Sequence, residues 1–185
     1  VIPTTDHPNG APFTRYPKII ALLMSRHYRE ELLQKINKKA LKKAILPSID
    51  REYGLYEIIT STRAAPARLL GLDDMKGHLG IGADADVAIY DLDPEKINFS
   101  RDYQKVKESF KRAYCTIKDG EIVVWNGEVV KEVYGRTFYV KFNQSEMEEK
   151  TKLFEHEFEK WYTINISNYR IGEDEILRGY PISVG

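Results

Sequence analysis

Apolar and polar positions keep different rhythms in successive parts of this 185-residue chain. Val1-Ile2-Pro3-Thr4-Thr5 is strand-like and leads into a polar loop punctuated by Pro and Gly, Asp6-His7-Pro8-Asn9-Gly10-Ala11-Pro12. Thr14 is placed to cap a helix, and Pro17 suits a helical first turn. Apolar residues dominate from Ile19 to Met24. From 27 to 46 the pattern is amphipathic, with Leu33, Ile36, Ala40, Leu41, Ala44 and Ile45 on one stripe. Lys35, Lys38, Lys39, Lys42 and Lys43 lie largely on another, and Pro47 ends the helix. Further helices are expected at 55–62 and 66–70.

Near Gly71 the rhythm changes. Gly77, Gly80 and Gly82 punctuate a loop, and Asp86 to Asp91 alternates as a strand. Asp119-Gly120 and Asn126-Gly127 then separate three short runs. Both dipeptides suit hairpin turns whose two central residues need positive φ, so 113–133 reads as a three-stranded meander. Thr137 to Phe142 reads as another strand. Ser145 and Glu148 have capping-box spacing for a last helix. Met147, Phe154, Phe158 and Trp161 share one face of it, expected to dock on the core. The tail, 163–185, has no clear period. Helices, then antiparallel strands, then a helix make an α+β chain.

Composition narrows the chemistry. Apolar residues make up 42% of the chain, enough for a core, and 28 basic side chains balance 28 acidic ones. No basic footprint for nucleic acid is present. The single cysteine, Cys115, excludes an internal disulfide, a cysteine cluster for zinc and a four-cysteine iron–sulfur site. No apolar run is long enough to cross a bilayer and no signal peptide is evident, so a cytoplasmic setting is expected.

Asp6 is the sharpest candidate for catalysis. It ends a strand-like segment and opens a Gly/Pro loop, where barrel enzymes carry catalytic groups. A carboxylate there can bind a divalent metal and take a proton from a nucleophile, although Asp before His-Pro also forms turns and caps helices. Neighbouring strand residues face opposite ways, so Asp6 and His7 do not easily share an ion. His27, His78 and His156 are scattered and form no His-x-His or His-x-x-x-His pair, so the metal site is incomplete. The glycines from Gly77 to Gly82 lack the preceding strand and following helix of a dinucleotide fingerprint and read as turn formers. The lysine stripe reads as a solvated helix face.

Two sets of residues carry a family resemblance. Gly77-His78-Leu79-Gly80-Ile81-Gly82-Ala83-Asp84-Ala85-Asp86-Val87-Ala88-Ile89-Tyr90-Asp91 resembles the return of amidohydrolase-superfamily chains from barrel to small β-sandwich. Thr116 to Val123 and Trp125 to Val130 resemble hairpin strands of that sandwich, and Ile58 to Leu72 the helical stretch before it. More narrowly, Thr5-Asp6-His7-Pro8-Asn9-Gly10-Ala11-Pro12-Phe13-Thr14-Arg15-Tyr16-Pro17 resembles the A subunits of formylmethanofuran dehydrogenases, and Gly135-Arg136-Thr137-Phe138-Tyr139-Val140 agrees.

The resemblance implies the last strand and helices of an amidohydrolase-type (β/α)8 barrel (1–70), part of the small antiparallel β-sandwich (71–142), and a C-terminal helix and tail (143–185). It implies a two-metal centre, commonly zinc, that joins formate to the amine of methanofuran in archaeal one-carbon metabolism. Other subunits of the complex are the expected partners. Asp6 would be metal ligand and proton acceptor. His7, Asn9 and Arg15 are nearby polar candidates for substrate binding. The His-x-His pair and the remaining ligands have no counterpart here. With the start at Val1, this leads to the expectation of an excised C-terminal portion, inactive alone. Another amidohydrolase, such as a cyclic amidase or deacylase, and a non-catalytic assembly module remain as alternatives.

Overall fold

The computed structural model describes residues 2–141, 144–169 and 171–183. They fall into two compact units, 1–133 and 134–185. The architecture is α+β with open sheets rather than a closed barrel. No helix among the described residues is long and apolar enough to cross a membrane.

The first unit opens irregularly. Residues 2–5 pair with no strand, contrary to the strand expected there. An extended segment becomes a strand only against a ladder partner, and the described residues place none beside it. After a 3-10 turn at Phe13–Arg15, helix α1 (Tyr16–Met24) starts with Pro17 in its first turn, while Thr14 stays inside the 3-10 turn and caps nothing. Ser25 ends α1 in extended conformation and caps α2 (Arg26–Lys35) by accepting the Tyr28 N–H at 2.9 Å.

The single helix expected over 27–46 is broken. Ile36 is extended, Asn37 accepts the Lys39 N–H at 2.8 Å, and a short α3 (Lys38–Leu41) follows. A side-chain cap on Asn37 competes with continuing the helix. The expected stripe is therefore not a buried face, and Ile45 is 77% exposed. The lysines beside it are exposed, as expected.

The two helices expected at 55–62 and 66–70 join through one widened turn. Helix α4 (Leu55–Ile59) passes into a π-helical turn (Thr60–Ala64) and then α5 (Ala65–Leu69). The Ser61 and Thr62 hydroxyls donate to the Ile58 carbonyl at 3.1 and 2.6 Å, and the Ala65 N–H reaches Thr60. Pro66 lacks an N–H, and the wider turn accommodates that missing donor.

The core gathers Ile20, Ala21 and Met24 of α1, Tyr28 of α2, Ile58 of α4 and Val106 of α6 (Tyr103–Ser109). Residues from both sides of position 70 thus share one core, with α6 packed on α1. Arg29 is also buried; its guanidinium donates to the carbonyls of Leu22 (2.7 Å), Leu23 (3.2 Å) and Arg51 (2.8 Å). It closes the last turn of α1, whose carbonyls have no partner within the helix.

The expected meander is present as β2 (Cys115–Lys118), β3 (Glu121–Trp125) and β4 (Glu128–Val129), though β4 stops short of Val133. Its turns have positive φ at Asp119 and Gly120 (50° and 81°) and at Asn126 and Gly127 (51° and 77°). Strand β1 (Val87–Ile89) adds antiparallel to β2, giving the order β1-β2-β3-β4.

In the second unit, β5 (Thr137–Lys141) pairs in parallel with β6 (Gly179–Ser183), and α7 (Gln144–Trp161) lies between them in sequence. Phe142 and the Ser145 side chain, parts of the expected strand and cap, lie outside the described residues. The aromatic stripe of α7 does not act as one buried face. Phe158 meets Tyr162 and Tyr169 at ring distances of 4.6 and 5.9 Å, whereas Trp161 is 72% exposed. The tail carries β6, which the sequence pattern hides because Pro181 sits inside it; on a two-stranded edge its missing N–H is tolerated.

Candidate functional site

The loop carrying Asp6 is a closed turn. The Ala11 N–H donates to the Thr5 carbonyl at 2.9 Å, and the Gly10 N–H to the Asp6 carbonyl at 2.8 Å. Thr5 is buried and anchors the stem. Asp6 itself takes φ of 50°, a left-handed conformation that aspartate tolerates better than most residues. Its N–H reaches the Thr4 hydroxyl at 3.3 Å. Gly10 is required at the crossing, because a β-carbon there would stand 2.6 Å from the Thr5 carbonyl oxygen. Asp6 is exposed at the stem of this closed turn.

The other three loop candidates are distributed around it. His7 is exposed and turned back on the loop: its Nδ1 accepts the Phe13 N–H at 3.3 Å, and its ring meets Phe13 edge-on at 5.3 Å. Asn9 lies exposed in the turn, and Arg15 is exposed in the 3-10 turn before α1. The geometry joins Asp6 and His7 through one loop. It shows no hydrogen bond linking Asn9 or Arg15 to them.

A second constellation escaped the sequence reading. Asp84, Asp86 and Asp119 bring carboxylate oxygens within 4.8 Å of one another, a spacing a cation can use. Two ammonium groups are already there. Lys76 Nζ pairs with Asp84 at 2.6 Å and with Asp86, and Lys118 Nζ pairs with Asp86 at 2.9 Å and Asp119 at 3.0 Å. The Asp119 N–H adds a bond to Asp86 at 3.0 Å. Burial raises the Asp86 carboxyl, but the bonds from Lys76, the Asp119 amide and Lys118 outweigh this and hold it at about 2. The group works as an ion-pair clasp fastening the 76–86 loop to the β2–β3 hairpin; a metal there would have to displace two lysines. Asp84-x-Asp86 ahead of a strand and Lys118-Asp119 at a hairpin turn are visible in the sequence; that they meet, together with Lys76, is not.

A third cluster pairs serine, histidine and glutamate without making a relay. His27 Nδ1 lies 3.0 Å from the Ser100 hydroxyl, which donates to Glu52. The serine stands between the other two and gives its hydrogen to the carboxylate. A nucleophilic triad needs the histidine in the middle. The same Glu52 oxygen accepts the Arg26 N–H, so the cluster ties the start of α2 to the chain around 52 and 100. A groove of about 400 Å³ lined by Asp91, Ile97, Gln104 and Glu108 does not include Asp6.

The sequence profile of the amidohydrolase family matches residues 1–124, and the chain belongs to that family. Over 177 residues it is 46% identical to protein FwdA of Methanocaldococcus jannaschii, a match that covers 94% of this chain and 30% of FwdA. It is 45% identical over 134 residues to the A component of the formyltransferase/hydrolase complex Fhc of Methylorubrum extorquens, covering 72% of this chain and 22% of that protein. The crystal structure of the complex FhcABCD from the same organism with methylofuran contains a chain that superposes with a TM-score of 0.72 at 34% identity, over 99% of this chain and 32% of that one. The chain thus spans about a third or less of the relatives it matches.

Proposed function

We propose that these residues form the C-terminal part of the A subunit of a formylmethanofuran dehydrogenase or related formyltransferase/hydrolase complex. In this reading 1–70 close the metal-bearing barrel, 71–142 belong to the small sandwich, and 143–185 are the C-terminal helix and tail. The observation that carries the reading is the Asp6 loop, which holds an exposed carboxylate in a fixed left-handed turn. The 46% identity to FwdA across 94% of the chain supports it.

The donor set fits a divalent metal in part. Asp6 offers one carboxylate with open access, and the other ligands belong to portions of the subunit beyond these residues. Two zinc ions are the proposed occupants; such ions polarise a carbonyl and lower the pKa of water. Asp6 is a ligand and the proton acceptor. As the methanofuran amine forms its C–N bond to the formate carbon, Asp6 takes the proton the nitrogen loses. That proton, with the one the ammonium form of the amine gives up before attack, leaves on the departing formate oxygen as water. Hydrolysis of the N-formyl amide runs the same steps backwards. Asn9 and Arg15 flank the loop as candidates for contact with substrate. The other subunits are the partners, and the setting is cytoplasmic.

The test is Asp6→Asn in the complete subunit within its complex, scored by N-formyl amide formation from formate and methanofuran. Loss of about a hundredfold or more in kcat is expected, the size of a missing proton acceptor. Near-normal turnover by that variant would end the assignment.

A further inference from the structure

We propose that His7 is a positioning residue for Asp6, acting through its Nδ1 rather than as a metal ligand or substrate contact. The inference rests on the reading of Asp6 given above. Besides the Asp6 N–H bond to the Thr4 hydroxyl, the loop has three ties. Two are main-chain bonds at its stem, Ala11 to Thr5 and Gly10 to Asp6. The third closes its far side, where the Phe13 N–H donates to His7 Nδ1 at 3.3 Å. Phe13 begins the 3-10 turn that leads into α1, so this tie couples the Asp6 turn to the first well-packed helix of the unit.

The chemistry of the ring follows. A neutral imidazole has one acceptor and one donor nitrogen. With the Nδ1 lone pair turned to a backbone N–H, the hydrogen resides on Nε2. Neither nitrogen then offers a lone pair to a cation. The ring also meets Phe13 edge-on, at 5.3 Å and 68°. Asp6 has no comparable side-chain tie in the loop, and its φ of 50° is held by the surrounding turn. Loosening the far side of that turn lets the carboxylate swing. A displacement of about 1 Å at a reacting group costs up to roughly a hundredfold in rate.

Substitution can separate the two ring nitrogens. Asparagine places an acceptor oxygen near the Nδ1 position; glutamine places one near Nε2. The experiment uses the complete subunit in its complex, with His7→Ala, His7→Asn and His7→Gln beside Asp6→Asn. Two quantities are measured: hydrogen exchange of the peptide containing the Phe13 amide, and kcat and KM for N-formyl amide formation. Expected are several-fold faster Phe13 exchange in His7→Ala and His7→Gln, and near wild-type exchange in His7→Asn. In the same two variants kcat falls about tenfold with KM within about twofold, and His7→Asn recovers most of the loss.

Unchanged Phe13 exchange in all three variants overturns the brace, whatever Asp6 does. A raised KM at constant kcat overturns it in favour of substrate contact, as does rescue by glutamine but not asparagine. If exchange responds as expected while kcat stays normal, positioning is overturned. A normal Asp6→Asn then shows that the parent reading failed as well, and an inactive one that only the His7 inference did.

Discussion

Gly77 lies so close to Ala67 that a methyl group on its α-carbon would stand 2.8 Å from the Ala67 β-carbon. The same methyl would meet the Arg63 carbonyl oxygen at 2.9 Å and the Ala64 α-carbon at 3.0 Å, both backbone atoms that cannot step aside. Gly77 also has φ of 81°. The loop therefore seats directly on the widened π turn and α5. Gly77→Ala combines overpacking with left-handed strain and is expected to destabilise the chain by about 2–4 kcal/mol. Gly82→Ala is the control: its φ is 92°, but nothing lies within 4 Å of the added carbon. It carries the conformational cost alone, about 1–2 kcal/mol. Urea midpoints compare the two, and equal losses would contradict the close approach.

The clasp around Asp86 gives the fold an acid limit. Its carboxyl ionises at about 2 in the folded chain against an ordinary 3.8. A depressed carboxyl stabilises the folded state above its unfolded pKa, and that contribution disappears as pH falls through the folded value. Lys118 is shifted the other way: burial lowers it, but Asp86 and Asp119 raise it more, so its share persists until alkaline pH. The Asp86 contribution should decline between about pH 4 and pH 2, by about 1 kcal/mol after allowance for solvent screening. Thermal unfolding of wild type and Asp86→Asn across that range gives a difference that narrows with acidity. A constant difference would show that the clasp does not set it.

The parts of this architecture that were legible in the sequence are those fixed by local backbone chemistry. Asp119-Gly120 and Asn126-Gly127 announce turns of positive φ, and the strands between them follow. Pro17 marks a helix start for the same reason. Where tertiary partners decide, the pattern misled. Residues 2–5 look like a strand but have no ladder beside them, and the stripe from Leu33 to Ile45 gives way to the Asn37 cap. The β5–β6 pair joins residues about forty positions apart, beyond any periodicity in the tail. Asp6 stood out by its place before a Gly/Pro loop. The Nδ1 tie of His7 and the Lys76–Asp86 clasp did not, because each depends on where a distant main-chain or side-chain atom comes to rest.

Arg29 tests the closure of α1. Its guanidinium serves three carbonyls from a buried position, with no carboxylate among the described residues bonded to it. Arg29→Met keeps much of the volume but removes the guanidinium donor from all three, leaving the Leu23 carbonyl only the Tyr53 N–H at 2.9 Å. A loss of about 2–4 kcal/mol is expected. Arg29→Lys should fall between, since one ammonium on a flexible stem cannot reproduce the planar fork. Denaturant unfolding of the two variants ranks them, and equal stability of Arg29→Met and wild type would deny the guanidinium this role.

Gly10 offers a way to disturb the Asp6 loop without replacing either of its functional side chains. A β-carbon at Gly10 would stand 2.6 Å from the Thr5 carbonyl oxygen and 3.2 Å from the Asp6 β-carbon. The Ala11–Thr5 and Gly10–Asp6 hydrogen bonds must lengthen to admit it, and Asp6 moves with them. The loop is largely exposed and contributes little to the core, so global stability should fall by no more than about 1–2 kcal/mol. Activity should respond far more strongly. With the complete protein in its complex, Gly10→Ala is expected to lower kcat about ten- to a hundredfold, the usual consequence of displacing a reacting group. The thermal midpoint and the rate of N-formyl amide formation are measured on the same preparation. A large fall in both would mean that the loop is a structural staple of the whole unit. A normal rate would mean that Asp6 needs no fixed turn, and the case for it as an oriented proton acceptor would fail there.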